Sequence, residues 1–420
     1  MMSEGNLIVG LDLCDDYTQI SYFNYKTFEV ESIYVDSDEQ TEVIPTVLAV
    51  DEATKDWYFG QEAIDLCNES KGVLVEHFIA GLSNNEGMTV YDITFQPIGL
   101  AERFLRKVLL LLKKKFPNDT VKYLMITVES LDKTLIDGLY EALETLGLGR
   151  NRVSIQSHIQ SYMYYALSQK KELWMNDTGL FDFNDHGLYY YQLSIDRRNR
   201  PMVVGVASKD YSEAITYQMH EEQVESLDYA FENIAKTALH KQIVSTIYLT
   251  GKGFEGDWIH SSLDSLCVGR RVFVGRTLYC IGACFAAREM VEQNKLQEFV
   301  FISEEMIACN ISSPIYYEAK VREIALIGAS TPWYDVDYVY ELILDNEIEI
   351  ELTIGDVVKR QSTTHIIALE GLERRETKTT RISLHFKCVD RNTLVVTVKD
   401  LGFGDFVPSS NRIWETLITI

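Results

Sequence analysis

Two aspartates stand where chemistry is most readily built. Asp12 lies at the end of the apolar run NLIVGLDL (residues 6–13), and Asp182 lies in a second such run, GLFDF (179–183). Each run reads as a buried strand with an acid at its C-terminal tip, followed by a turn and a further strand: QISYF (19–23) in the first case, GLYYYQLSI (187–195) in the second. A carboxylate so placed either caps its own turn or faces a ligand. Gly251 and Gly253 follow a strand in YLTGKGFEG. Glycines there let backbone N–H groups approach an anion, and equally serve a tight strand-to-helix turn. Other chemistries lack their residues. The seven cysteines are odd in number and form no CxxC pair. Cys280 and Cys284 share a helix face at i,i+4, yet no neighbouring His or Cys completes a ligand set, so core packing is the expectation. The eight histidines show no HExxH or paired spacing, and no GxSxG elbow occurs. DLGFGDF (400–406) lacks the Gly-rich loop and HRD context of a kinase and reads as a glycine-rich turn.

The elements that must position these residues follow from periodicity. Residues 99–116 are helical, with Leu105, Val108, Leu109 and Leu112 on one face and Lys113, Lys114 and Lys115 at the end, where cations favour the dipole. A strand at 121–128, a helix at 133–146 closed by Gly147, a strand at 152–156 and a helix at 159–169 come next. Past the second acid lie a helix at 224–239, a strand at 245–250 and a helix at 276–295. Two strand–Asp–turn–strand units, each followed by alternating strands and helices, imply two related α/β lobes. From about residue 320 the texture changes. Residues 338–354 and 381–399 alternate in β-branched and aromatic residues, with turns at Asp345-Asn346 and Asp390-Arg391-Asn392, which marks a separate β-rich domain.

Bulk properties narrow the classes. A chain of 420 residues fits two or three domains, and its core needs neither disulfide nor metal staples. The net charge of −24 repels phosphate backbones and anionic membranes, so nucleic-acid binding is not expected. The opening residues, MMSEGNLIVG, lack a basic segment followed by an apolar one, and the longest aliphatic run (108–112) is far short of a membrane span. A cytoplasmic location is the expectation.

The order of these pieces resembles the Hsp70 branch of the actin, sugar-kinase and Hsp70 superfamily. GLDLCDDYTQIS (10–21) resembles its first phosphate loop and FDFNDHGLYYYQL (181–193) its second. EVIPTVLAV with WYFGQEA resembles the segment after the first loop, and ITVES (126–130) a buried strand. YLTGKGFEG is similar to the adenosine loop, and LYCIGACFAA to the closing helix with its Gly-Ala. VREIALIGAST is similar to the interdomain linker, and LEGLERRETKTTRISLHF with NTLVVTVKDLGFG resembles the substrate-binding β-sandwich, without the helical lid. The WYD, LEGLERR and DLGFGDFVPSS pieces also resemble a bacterial family of unknown function.

The resemblance implies a two-lobed actin/Hsp70-like ATPase fold of duplicated RNase H-like lobes over residues 1–318 (lobe I about 1–175, lobe II about 176–318). A small β-sandwich would occupy 319–420. It also implies where a nucleotide would sit. Asp12 and Asp182 would hold Mg²⁺ through water, and Cys14, Gly251, Gly253 and Gly282 would line the ATP site. The chemistry around them departs from the family. Cys14, Asp15 and Asp16 replace Gly-Thr-Thr, and Asn184, Asp185 and His186 replace the second loop's glycines, with Gly187 surviving. Ser157 falls where Hsp70 proteins carry a catalytic-site Glu, and Glu76 or His77 where they carry the hydrolytic Lys. An Asp about 5 Å from a phosphate costs roughly 3 kcal/mol at an effective dielectric of 20. The expectation is therefore an Hsp70-like binding or scaffold protein with a degenerate nucleotide site and a protein or peptide partner. A slow Mg-ATP-dependent ATPase is the alternative.

Overall fold

The computed structural model describes residues 6–35, 41–222, 224–292, 296–345 and 348–420. It is a mixed α/β protein with several sheets, and its contacts divide it into two units: residues 1–194 with 206–297, and residues 195–205 with 298–420.

The first unit holds two sheets with one plan. Strands β1 (Asn6–Leu13), β2 (Tyr17–Asn24), β3 (Glu29–Ser32), β4 (Thr120–Val128) and β5 (Val153–Ser157) lie in the order β5-β4-β1-β2-β3. β1 pairs antiparallel with β2 and parallel with β4, which pairs parallel with β5. Strands β6 (Asp177–Asn184), β7 (Gly187–Asp196), β8 (Met202–Asp210), β9 (Val244–Thr250) and β10 (Arg271–Val274) repeat that order as β10-β9-β6-β7-β8. β6 again pairs antiparallel with its hairpin partner and parallel with β9.

The helices repeat as well. In the first half α1 (Pro97–Lys115) precedes β4, α2 (Lys133–Thr145) joins β4 to β5, and α3 (His158–Ser168) follows. In the second half α4 (Val224–Ala238), α5 (His260–Cys267) and α6 (Leu278–Glu292) take the same places. Local chemistry sets their starts. Pro97 opens α1 where its missing N–H is harmless, Asp132 accepts the Leu135 N–H to cap α2, and Ser157 with Gln160 forms a capping box on α3. Leu105, Val108 and Leu112 of α1 and Leu135, Leu139 and Leu143 of α2 are buried in one core with β1 and β4, with Leu109 partly buried against it, and Leu227 and Phe231 of α4 are buried in another with β6 and β9. α6 crosses back to the first sheet, packing Ala283, Cys284, Ala286 and Ala287 against Ile8, Phe23 and Met125. Cys280 and Cys284 share that buried face, as their spacing implied. The expected helix over 276–295 is found as far as Glu292, and residues 293–295 lie outside the described residues.

In the second unit β12 (Cys309–Tyr317), β13 (Lys320–Ile327), β15 (Glu349–Asp356) and β16 (Gln361–Ala368) form one four-stranded sheet. β14 (Asp337–Leu344), β17 (Thr380–Asp390), β18 (Thr393–Asp400) and β19 (Ile413–Thr419) form another. Alternate residues face inward, so Leu352, Ile354 and Ile367 of one sheet share a core with Ile382, Leu384, Phe386, Val396 and Val398 of the other. A parallel strand β11 (Phe299–Ile302) pairs residues 202–205. The boundary expected after Glu318 falls instead inside a hairpin: Tyr317 pairs with Lys320, so β12 belongs to the β-rich unit, which takes in everything from Glu298. The turn read at Asp345-Asn346 lies partly outside the described residues, since Asn346 is not among them.

Candidate functional site

Parallel pairing brings the functional ends of the strands together. Asp12 on β1 stands opposite Thr127 on β4, which stands opposite Gln156 on β5, so the chain leaving β5 delivers His158 to the level of Asp12. On the second sheet Asp182 stands opposite Thr250, which sets Gly251 beside it. Both aspartates therefore reach their sheets' C-terminal edges, where open α/β sheets place ligands.

Asp12 is fully buried. Its Oδ1 lies 2.7 Å from His158 Nε2 and 3.5 Å from Cys14 Sγ, and the thiol lies 3.7 Å from the same nitrogen. Its Oδ2 has no hydrogen-bond partner. His158 stacks on Tyr279 of α6, with ring centroids 3.9 Å apart and planes 10° off parallel. Tyr279 donates its hydroxyl to Asp182 Oδ2 at 2.6 Å, and the Asn184 amide reaches Oδ1 at 3.4 Å. A polar chain thus runs from Cys14 and Asp12 through His158 and Tyr279 to Asp182, joining the tips of the two sheets.

Burial governs the protonation of this chain. It pushes the Cys14 thiol well up, with the Asp12 charge adding to it, and raises the Tyr279 hydroxyl likewise. Burial also pushes Asp182 up to about 6, against the hydrogen bond from Tyr279. For His158 burial acts in the other direction, but the adjacent Asp12 carboxylate outweighs it and the imidazole is held above its ordinary value.

Around this interior lies a rim of ion pairs. The Lys252 ammonium, just after Gly251, lies 2.8 Å from Asp16 on the first hairpin turn and also bonds Asp185 on the second. Burial lowers the lysine's affinity for its proton, yet the bonds to Asp16 and Asp185 outweigh it and leave it raised. Asp15 pairs with His77 and accepts the Ala80 N–H at 3.0 Å, and His186 pairs with Glu129 at 3.3 Å. The cavity beside Lys252, lined by Asp16, Tyr17, Gln19 and Arg276, measures about 220 Å³. Pockets for small ligands usually span about 300–1,000 Å³.

The predicted site residues divide accordingly. Asp12, Cys14 and Asp182 enter the polar chain. Gly253 and Gly282 are closed over by the protein itself, while Gly251, tightly packed on one side, also lines the cavity beside Lys252. A Cβ on Gly251 would lie 2.2 Å from the Phe183 carbonyl oxygen, one on Gly253 would lie 2.3 Å from the Phe183 ring, and one on Gly282 would lie 2.0 Å from the Ser161 carbonyl oxygen. Gly251 also has φ +97°, a conformation open to glycine. Ser157 is a helix cap, while Glu76 is exposed. Sequence reasoning missed His158 and Tyr279. The histidine has no partner at motif spacing, and its one signal was its place directly after Ser157 at the end of the third parallel strand.

The arrangement is that of an α/β protein with a repeated sheet plan and a buried carboxylate–imidazole–phenol chain between the repeats. Residues 29–304 match the model described as the family of unknown function (DUF5716), C-terminal, and the chain belongs to that family. Residues 306–420 match a domain of unknown function (DUF8552). The junction between the two matches lies close to the division at residue 298. No curated protein matches the chain. Among the described residues no helix is long and apolar enough to cross a membrane.

Proposed function

We propose that the first unit is a two-lobed actin/Hsp70-like fold of duplicated RNase H-like lobes, and that the protein acts as a binding or scaffold module rather than an ATPase. The repeated β-order, and the return of the last helix to the first sheet, support the fold reading. One observation carries the functional reading: Lys252 bridges Asp16 and Asp185, so a side-chain cation joins the two turns that would otherwise cradle phosphates. Gly253 and Gly282, which would admit a nucleotide, are packed against Phe183 and Ser161, which supports the same conclusion. The β-sandwich, resembling an Hsp70 substrate domain, is the surface for a protein or peptide partner.

Calorimetric titration of the full chain with ATP and ADP, with and without Mg²⁺, tests this. The expected result is no saturable heat, no rise in melting temperature and no phosphate release. Micromolar binding that disappears in Asp12→Ala would instead establish the alternative, a slow Mg-ATP-dependent ATPase. That reading is favoured by one feature, the survival of both strand-tip aspartates in buried positions.

A further inference from the structure

We propose that Asp12, Cys14 and His158 form a binding site for a zinc-class transition-metal ion, with one coordination position left for water or a ligand. The three donors come from two segments far apart in the chain, and their ligand atoms all lie within 4.8 Å of one another. Four-coordinate zinc holds thiolate sulfur at about 2.3 Å and imidazole or carboxylate donors at about 2.0–2.2 Å. In a tetrahedron those bond lengths place sulfur about 3.5 Å from either hard donor, and the two hard donors about 3.3 Å apart. The separations here are 3.5 Å for sulfur to oxygen, 3.7 Å for sulfur to nitrogen and 2.7 Å for oxygen to nitrogen. Two edges already have the length a metal needs. The third is a hydrogen bond, and it opens when a metal takes the place of its proton.

A second observation points the same way. The Asp12 carboxylate is fully buried, yet Oδ2 has no hydrogen-bond partner. A buried unsatisfied carboxylate oxygen is costly; with Oδ1 on the metal, Oδ2 can accept a hydrogen bond from the metal-bound water, which removes that cost. The donor chemistry selects the ion. Magnesium takes hard oxygen ligands in an octahedron, whereas sulfur, nitrogen and oxygen together suit zinc and its neighbours. Asp182, the other aspartate expected at a metal, is already engaged by Tyr279 and Asn184 and stays outside the set. Tyr279 has a role all the same: its ring, stacked on the imidazole, fixes the plane in which Nε2 presents its lone pair. Binding releases the Cys14 thiol proton and any proton on His158, so metal uptake acidifies an unbuffered solution. The assignment rests on these three side chains and not on the scaffold reading, so loss of either leaves the other standing.

The test is titration of the chelator-treated full chain with Co²⁺. The expected result is a thiolate-to-cobalt charge-transfer band with intense d–d bands, saturating at one equivalent and displaced by Zn²⁺. Cys14→Ser abolishes the charge-transfer band. Asp12→Asn and His158→Gln each weaken Co²⁺ binding by more than about 100-fold, beyond the 10–100-fold typical of outer-sphere changes. Cys267→Ser, which removes an exposed thiol, leaves the band intact. X-ray absorption on the wild-type protein gives a readout that needs no variant to fold: one sulfur at about 2.3 Å with two protein nitrogen or oxygen neighbours at about 2.0–2.2 Å. No band at one equivalent, a band that survives Cys14→Ser, or a metal shell without sulfur would overturn the proposal.

Discussion

Asp182→Asn should stabilise the first unit, and by an amount that depends on pH in a defined way. Burial raises the Asp182 carboxyl from its ordinary 3.8 to about 6, so the folded state holds this proton more tightly than the unfolded state does. Between those two values the folded protein is protonated there and the unfolded chain is not. Stability therefore falls as pH rises across that window, and the full penalty stands above about pH 6. At about 1.4 kcal/mol per pH unit the penalty amounts to about 3 kcal/mol. Asparagine is uncharged, keeps an oxygen for the Tyr279 hydroxyl and nearly preserves the volume. The stability difference between variant and wild type should thus shift by about 3 kcal/mol in the variant's favour between pH 3.8 and pH 7.5. Hydrogen exchange under urea, read on the peptide covering Asp177–Asn184, reports the opening of this unit alone. A difference that stays flat with pH, or that moves the other way, would refute the reasoning.

Two further perturbations probe the packing. Arg375 grips the buried Asp400 through two 2.7 Å bonds, and the Gly402 and Ser410 N–H groups complete its shell. Burial works against the charge, but these partners outweigh it and hold the carboxyl well below the usual range, so its contribution is present above about pH 4 and is lost at strongly acid pH. Arg375→Met should lower the stability of the β-rich unit by about 3 kcal/mol at pH 7, with a smaller deficit as pH falls below 4, measured by urea unfolding across that range. Gly282→Ala places a methyl group 2.0 Å from the Ser161 carbonyl oxygen, which forces α3 and α6 apart, whereas Gly99 on α1 has nothing within 4 Å. The first change should cost roughly 3 kcal/mol and the second should add about 0.5–1 kcal/mol, read as opposite shifts in melting temperature.

Much of the fold could be read along the chain because its signals are local. The leucine spacing of α1 and α2 and the alternation in β17 and β18 each depend on near neighbours, and each element is present. Asp12 and Asp182 were legible for the same reason, as acids ending apolar runs. The partners of the acids were not. Lys252 meets Asp16 across 236 residues, and His158 meets Asp12 across 146. Such pairs follow from which strands lie side by side, and a parallel sheet is joined through long crossovers that leave no periodic trace. A glycine needed for close approach looks the same in sequence whether the approaching group is a phosphate or the Ser161 carbonyl. The boundary at 318 failed similarly, since the change in texture at residue 320 falls between two strands of one hairpin.

The replaced loop residues form a consistent electrostatic design. Asp15, Asp16 and Asp185 read in isolation as acids that repel phosphate. In the folded chain Asp15 has His77, and Asp16 and Asp185 share Lys252. A triphosphate entering here would have to break these pairs, and each bare carboxylate about 5 Å from a phosphate would then oppose it by roughly 3 kcal/mol. Deeper in, Asp12 meets His158 and the Cys14 thiol, and Asp182 meets the Tyr279 hydroxyl and the Asn184 amide. The field at that point favours added positive charge and disfavours added negative charge. The same arrangement that argues against a nucleotide therefore argues for a cation, and Cys14 and His158 specify a softer one than Mg²⁺. Competition separates the two ideas: ATP should fail to displace Co²⁺ from the full chain beyond what chelation in solution explains. Displacement that saturates with ATP well below the concentrations at which ATP chelates Co²⁺ in solution would mean that the cleft still opens to phosphate.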